Sequence, residues 1–140
     1  MKYKFIDHTA DVMFEAHGKN LNKLFENAAL ATFDVQCDLK KIERTTKKKI
    51  KLKNESLEGL LFDFLEELVY LKDAKCLLFS KFKVKILEKK DKFYLDSVIE
   101  GEKIKPNKHD LKTDVKAVTL HKFELKKIKN GYKVIVILDI

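Results

Sequence analysis

Two carboxylates, an imidazole and a hydroxyl fall within five residues near the start of the chain, Asp7-His8-Thr9-Ala10-Asp11. The segment separates two short strand-like runs, Tyr3–Ile6 and Val12–His17, so the chain must turn there. A turn selected only for its geometry favours Gly, Pro or Asn-Gly, and this one contains none of them. The composition therefore indicates a functional site rather than a simple bend.

The other end of the chain offers two more anionic groups, the side chain of Asp139 and the carboxylate of Ile140. If Asp11 comes near them, three anionic groups converge, and such a cluster needs protons or a cation to neutralise it. Hard oxygen ligands with little His and no Cys favour Ca²⁺, Mg²⁺ or Mn²⁺ over zinc. The residues alone favour a simpler interpretation, in which Asp11 is a turn or cap residue and Asp139 a solvated strand end.

A third polar segment, Thr113–His121, has the alternation of a strand. Lys116 shares a face with Val118 and Leu120, from which a lysine usually extends to solvent. It can instead pair with carboxylates or with a ligand phosphate. The four histidines show no recognisable catalytic order with Asp or Cys, and a chain with 4 Gly has no Gly-rich phosphate loop.

The elements that must position these groups are predicted from hydrophobic periodicity. The fold class is α+β: a single domain over residues 1–140, with a mixed, mostly antiparallel sheet packed by two helices. Val134–Leu138 is apolar at every position, which predicts a strand that is central in the sheet or covered on both faces. A polar loop is expected at Gly101–Lys112. The other predicted elements are helices capped by Asn20 (to about Val35) and by Asn54 or Ser56 (to about Lys72), and strands at Lys47–Lys53, Leu78–Leu87, Lys92–Glu100, Val115–Lys126 and Tyr132–Leu138.

The net charge of +8 invites a nucleic-acid interpretation, but Arg44 is the only arginine. Arg supplies the bidentate fork that grips phosphate and reads guanine, so a solvated basic surface is favoured over a dedicated groove. The N-terminus lacks a signal peptide, and no apolar run could span a bilayer. We therefore expect a cytoplasmic protein without membrane contact, with Cys37 and Cys76 as buried thiols.

Several segments together resemble one known family. Phe5–Val12, followed by Phe14–Gly18, is similar to the N-terminal signature of the archease family. The resemblance covers essentially the whole chain in the family's order. It continues through Leu24–Ala29, Leu60–Leu71, Leu77–Ser80, Gly101-Glu102 with His109, Leu111–His121 and Val136–Ile140.

The resemblance implies an accessory protein of tRNA splicing that is not itself an enzyme. Archeases promote guanylylation of the active-site histidine of the tRNA-splicing RNA ligase and let that ligase turn over repeatedly. The family's metal site falls on Asp11, Asp139 and the carboxylate of Ile140, with Ca²⁺ as the expected ion and Mg²⁺ or Mn²⁺ as alternatives. Its ligase-activating lysine falls on Lys116.

Asp7, His8 and Thr9 are expected to support the metal site, together with His121. Asp114 stands where the family more often has Glu. The expected partner is the ligase, with at most weak or indirect contact with tRNA. Three other functions stay open: a chaperone-like modulator of RNA methyltransferases, a metal-dependent hydrolase that acts alone, and an RNA-binding module that uses the Lys-rich strands.

Overall fold

Two antiparallel sheets and two helices make up the fold, as a computed structural model shows for residues 1–7 and 10–140. The α+β class is confirmed, but the strands divide into two sheets instead of forming one. In chain order the elements are β1 (Tyr3–Ile6), β2 (Val12–Gly18), α1 (Leu21–Asp34), a short 3₁₀ turn (Leu39–Lys41), β3 (Thr46–Asn54), α2 (Leu57–Lys75), β4 (Leu77–Lys89), β5 (Lys92–Lys103), β6 (Ala117–Ile128) and β7 (Gly131–Asp139).

The first sheet has the strand order β1-β2-β7-β6 and the second β3-β5-β4. Each helix contacts both sheets: α1 packs on β2, β7 and β4, and α2 packs on β6, β3, β5 and β4. Phe33 of α1 stacks on Phe82 of β4, while Phe62 of α2 meets Phe123 of β6 edge to face. Both helices therefore have apolar contacts on more than one side and pack against both sheets. Hydrophobic periodicity along the chain does not reveal this arrangement.

The local start signals of both helices are confirmed. Asn20 accepts a hydrogen bond from the Lys23 N–H (2.9 Å), and Ser56 accepts one from the Gly59 N–H (2.9 Å). These bonds satisfy N–H groups that a helix start otherwise leaves without partners. The predicted central position of the last strand is also confirmed, because β7 pairs with β2 on one side and β6 on the other.

Two expectations need correction. The predicted loop at Gly101–Lys112 begins three residues later, because Gly101 and Glu102 continue the ladder with β4. Cys37 is buried as expected, but Cys76 is exposed. Cys76 ends α2 in the left-handed conformation (φ 55°), a C-terminal position that faces solvent instead of the core.

Side chains of the helices cover one outer strand of each sheet. On β4, the Val84 N–H donates to Glu26 Oε2 and the Ile86 N–H to Asn22 Oδ1, both at 2.9 Å. On β6, the Leu125 N–H donates to Glu58 Oε2 at 2.9 Å. An outer strand otherwise presents free N–H groups that can pair with another chain. Within the described residues, neither helix combines the length and the apolar composition needed to cross a bilayer.

Glu26→Ala should lower the free energy of unfolding by about 1–3 kcal/mol, because it leaves the Val84 N–H without its acceptor. Urea denaturation measures this change. Lys23→Ala is the matched control, since the ammonium of Lys23, on a side chain that is 59% exposed, forms an ion pair with Glu26 (3.1 Å) and its loss should cost at most about 1 kcal/mol. Equal losses in the two variants would contradict this role for the covered outer strand.

Candidate functional site

The pairing of β2 with β7 brings the two ends of the chain together. Val12 lies opposite Leu138 in the last pair of the antiparallel ladder. Asp11 directly precedes Val12 and Asp139 directly follows Leu138, so both residues adjoin the same end of this ladder. Two of the predicted metal ligands, separated by most of the chain, therefore come from the same end of the sheet.

The same end of the sheet receives Lys116 from the third strand. Ala117 of β6 lies opposite Asp139, and the Lys116 N–H donates to the Asp139 carbonyl at 2.8 Å. Lys116 and Asp139 are both exposed, and Asp11 is half-buried. Ile140 follows β7 directly and is also exposed. Backbone pairing thus places Lys116 beside Asp139, and Asp11 and Ile140 adjoin paired residues at the same end of the sheet.

The predicted supporting residues are distributed differently. Asp7 is exposed just after β1, and His8 and Thr9 lie outside the described residues. His121 is exposed within an irregular stretch of β6, where the pairing with β7 is interrupted between Thr119 and Glu124. The register therefore does not bring His121 to the Asp139 end of the strand.

A metal site at this position would consist of few side chains. Among residues 1–7 and 10–140, no three His, Cys, Asp or Glu side chains form a group that could hold a metal ion. Asp11 and Asp139 supply two carboxylates, and the third anionic group of the predicted site belongs to the main chain at Ile140. The donors are all oxygens, which fits a hard cation such as Ca²⁺.

The loop at residues 104–116 carries Lys116, and a buried lysine of α2 holds the end of this loop. Lys72, with 6% of its surface exposed, donates to the Val115 carbonyl at 2.8 Å and forms ion pairs with Asp114 and Asp73. The Val115 N–H donates to Gln36 Oε1 at 3.3 Å. Lys72 of α2 and Gln36, just after α1, therefore fix the backbone one residue before Lys116.

A second buried charge holds the start of the loop. Glu102 Oε2 accepts hydrogen bonds from the Glu43 N–H (2.6 Å) and from Lys108 Nζ (2.8 Å), and lies 3.0 Å from His109 Nε2. His109 Nδ1 accepts from the Lys105 N–H at 2.8 Å. Because Nδ1 accepts, the imidazole proton lies on Nε2, which donates to Glu102.

An open groove lies away from this cluster. It has a volume of about 820 Å³ and is lined by Gly18 and Tyr132 at the opposite end of the β2–β7 ladder. Its described lining residues do not include Asp11, Lys116 or Asp139. The predicted site is therefore a surface cluster rather than a pocket, which suits contact with a large partner better than enclosure of a small substrate.

Comparison with known proteins identifies the relatives of the chain. A model of the Archease protein family matches residues 3–140. The chain belongs to this family. The protein archease of Methanosarcina mazei is 40% identical over 140 residues, covering 99% of this chain and 96% of the relative. The protein archease of Pyrococcus furiosus is 42% identical over 130 residues, covering 93% and 92%.

Solved structures agree with the fold. The solution structure of Methanobacterium thermoautotrophicum protein 1598 matches with a TM-score of 0.89 at 42% identity, over 99% of this chain and 98% of that one. The crystal structure of a Thermotoga maritima archease, described as a possible chaperone, matches with a TM-score of 0.64 over 98% and 96% of the two chains. At 22% identity, this second likeness concerns the fold alone.

The sequence did not lead us to the two residues that hold the end of the loop at 104–116, Lys72 and Gln36. Lys72 carried a signal, because it continues the helical spacing of the buried residues Leu61, Leu65 and Leu68. A lysine on the apolar face of a helix indicates a buried, paired ammonium. Gln36 lies just after α1 and carried no comparable signal.

The protonation of Glu102 is controlled by its surroundings. Burial by itself raises the pKa of this carboxyl. Hydrogen bonds from Lys108, Glu43, His109 and Lys105 outweigh burial and lower the pKa from 4.5 to about 2. The ionised carboxylate is therefore favoured in the folded protein over the unfolded chain, where its pKa is the ordinary value.

Glu102→Gln should destabilise the protein at pH 7 by about 1–3 kcal/mol, because a neutral amide replaces the ionised acceptor of several donors. A group whose pKa is lowered by folding stabilises the protein above its unfolded pKa, and this contribution is lost as pH falls through the folded value. The difference in unfolding free energy between wild type and variant should therefore shrink between about pH 4.5 and pH 2. Urea titrations across that range measure it, and a difference that stays constant down to pH 2 would contradict the assignment.

Proposed function

We propose that this protein is an accessory protein of the tRNA-splicing RNA ligase and promotes guanylylation of the ligase without being an enzyme itself. The proposal rests on membership of the archease family and on one observation in the fold. That observation is the pairing of β2, β7 and β6, in which the Lys116 N–H bonds to the Asp139 carbonyl and Asp11 directly precedes Val12, the partner of Leu138. Two carboxylates and an exposed ammonium are thereby available together to a partner.

Guanylylation transfers GMP from GTP to a histidine of the ligase. A bond forms between a histidine nitrogen and the α-phosphorus, the bond from that phosphorus to the bridging oxygen breaks, and pyrophosphate leaves. Negative charge on the phosphate oxygens must be neutralised during this transfer. Groups that stabilise this charge on the ligase surface would therefore accelerate the reaction without taking part in covalent chemistry.

Each residue of the cluster has a role in the proposal. Lys116 donates hydrogen bonds to phosphate oxygens as a compact point charge. Asp11 and Asp139, with the carboxylate at Ile140, would hold a divalent cation, and donors that are all oxygens fit Ca²⁺. The cation when bound supplies further positive charge for the nucleotide phosphates. Lys72 acts as a positioning residue, because it fixes the backbone beside Lys116.

The alternative functions, a hydrolase and a chaperone-like modulator, differ from the proposed one in what they require of the cluster. A metal-dependent hydrolase acting alone needs a base that activates water and a site that holds the substrate, whereas this cluster lies on the surface. A chaperone-like modulator of RNA methyltransferases would need apolar binding surface and no particular contribution from Asp11, Asp139 or Lys116. Substitutions in the cluster therefore separate the three functions.

Asp11→Ala, Asp139→Ala and Lys116→Ala should each lower ligase guanylylation by about tenfold or more, because each removes a charge from the cluster. The assay follows incorporation of labelled GMP into the purified ligase, with the protein added below the ligase concentration so that repeated action is needed. Asp110→Ala and Lys112→Ala are matched controls, since both residues are exposed in the same loop as Lys116. Full activity of the three cluster variants would exclude the proposed site.

Calcium binding, measured by isothermal titration calorimetry, should weaken at least about tenfold in Asp11→Asn and Asp139→Asn, because each loses a charged oxygen ligand. Adding one glycine after Ile140 moves the main-chain carboxylate and should weaken binding as well. Asp110→Asn should leave the affinity unchanged. Parallel titrations with Mg²⁺ and Mn²⁺ rank the ions, and unchanged Ca²⁺ affinity in both Asn variants would refute the ligand set.

A further inference from the structure

Six exposed lysines form two columns on the outer face of the second sheet. Residues opposite each other in the β3-β5-β4 ladders form three rows, Lys47–Glu100–Lys81, Lys49–Val98–Lys83 and Lys51–Asp96–Lys85. We call Lys47, Lys49, Lys51, Lys81, Lys83 and Lys85 the lysine face. We infer that the lysine face binds the phosphate backbone of a double-helical RNA, independently of sequence.

The charge on this face is poorly neutralised. Lys51 lies 3.7 Å from Asp96, and both side chains are more than half exposed, so water screens the pair. The middle row contains no carboxylate. Within the described residues, Lys49 and Lys83 form no ion pair, and Val98 separates them. The face therefore carries six positive charges against two negative ones and attracts polyanions.

Edge protection does not account for both columns. β3 is an outer strand, and lysines on it discourage pairing with another chain. β4 is the opposite outer strand, but its N–H groups at Val84 and Ile86 already donate to side chains of α1. Lys81, Lys83 and Lys85 therefore are not required to protect that strand.

The geometry suits an extended, regularly charged ligand. Neighbouring strands lie about 4.8 Å apart, so the two lysine columns lie about 10 Å apart across β5. Along each strand, residues on the same face repeat every ~6.8 Å. A nucleic acid backbone presents phosphates at regular intervals, which matches repeated single charges better than one compact anion does.

The residue types favour RNA backbone over other polyanionic partners. Protein interfaces are depleted of lysine at their centres and use aromatic or arginine anchors, but the three rows contain only Val98 as an apolar residue. Lysine contacts phosphate as a point charge, and Arg44 lies outside the face, so the face has no side chain for bidentate reading of bases. Tyr94, in the next row between Lys53 and Leu87, is a single exposed aromatic residue beside the face, whereas binding of single strands uses several aromatic residues on which successive bases stack.

This inference goes beyond the proposed function and does not rest on it. Asp139 belongs to the first sheet and Asp11 directly precedes β2 of that sheet, whereas all six lysines belong to the second. Guanylylation of the ligase requires no RNA. Loss of one activity without the other is therefore measurable.

The test uses the full chain and a fluorescein-labelled RNA hairpin of arbitrary sequence, with fluorescence anisotropy measured across a salt series. Wild type should bind at about 50 mM salt. A plot of the logarithm of the affinity against the logarithm of the salt concentration should have a slope of about −4 to −5. Lys49→Glu combined with Lys83→Glu should weaken binding at least tenfold. It should also reduce the salt slope by about two, since two phosphate contacts are lost.

The matched control combines Lys127→Glu with Lys129→Glu, which makes the same charge change in the hairpin that joins β6 to β7. It should retain affinity within about twofold. Equal weakening by both double variants would overturn the proposal, because net charge alone would then explain binding. Thermal melting checks folding, and Lys49→Gln with Lys83→Gln provides a milder pair that should weaken binding in the same direction.

Further outcomes decide between partners. Preferential binding to phosphatidylserine vesicles, with RNA failing to compete, would replace the RNA proposal with a membrane surface. No RNA binding at low salt would refute the proposal outright.

Lys49→Glu with Lys83→Glu should leave ligase guanylylation unchanged, and Asp11→Ala should leave RNA binding unchanged. Joint loss of both activities in either variant would contradict two separate surfaces.

Discussion

The antiparallel pairing of β2 with β7 is the constraint on which the candidate site depends. It joins a hairpin from the start of the chain to a hairpin from its end, from Val12 opposite Leu138 to Gly18 opposite Tyr132. A shift of one residue in this ladder would move every buried side chain to the other face, so the core enforces the register. Buried Phe14 and Val136, which are paired with each other, thereby keep Asp11 and Asp139 at the same end of the ladder.

The helices serve both sheets through packing and through hydrogen bonds. Their apolar side chains fill the space between the sheets, and polar side chains at their margins satisfy outer-strand N–H groups, as Glu26 does for Val84. Burial supplies most of the favourable free energy, whereas the hydrogen bonds specify which strand lies beside which helix. The remaining outer strand of the second sheet, β3, is protected instead by its lysines.

Two buried charges organise the loop that carries Lys116. Lys72 fixes its end through Val115, and Glu102 with His109 fixes its start. Transferring a charged group from water to the protein interior is costly, and this cost is offset only when several partners are correctly placed. Such clusters therefore restrict the loop to one arrangement. Lys116 itself stays exposed, so a side chain available to a partner is carried on a backbone that the interior holds in place.

Local patterns in the sequence were sufficient for the elements and for their class. Helix caps at Asn20 and Ser56 and the apolar strand Val134–Leu138 all depend on neighbours within a few residues, so periodicity and capping chemistry predict them. Several local motifs, taken together along the chain, also indicated the resemblance to the archease family. The division into two sheets could not be predicted, because it depends on which strands meet the two sides of the helix layer.

The candidate site likewise combines features that the sequence predicts with features that only the tertiary structure determines. Residue types alone favoured a turn residue and a solvated strand end, and the resemblance to the archease family implied the roles of Asp11, Asp139 and Lys116. Only the tertiary structure decided that Lys116 lies beside Asp139 and that Asp11 adjoins the same end of the β2–β7 ladder, because pairing between residues far apart in the chain leaves no local signal. It also decided that Lys72 and Glu102 are buried, as the stability of a buried charge depends on partners from other elements.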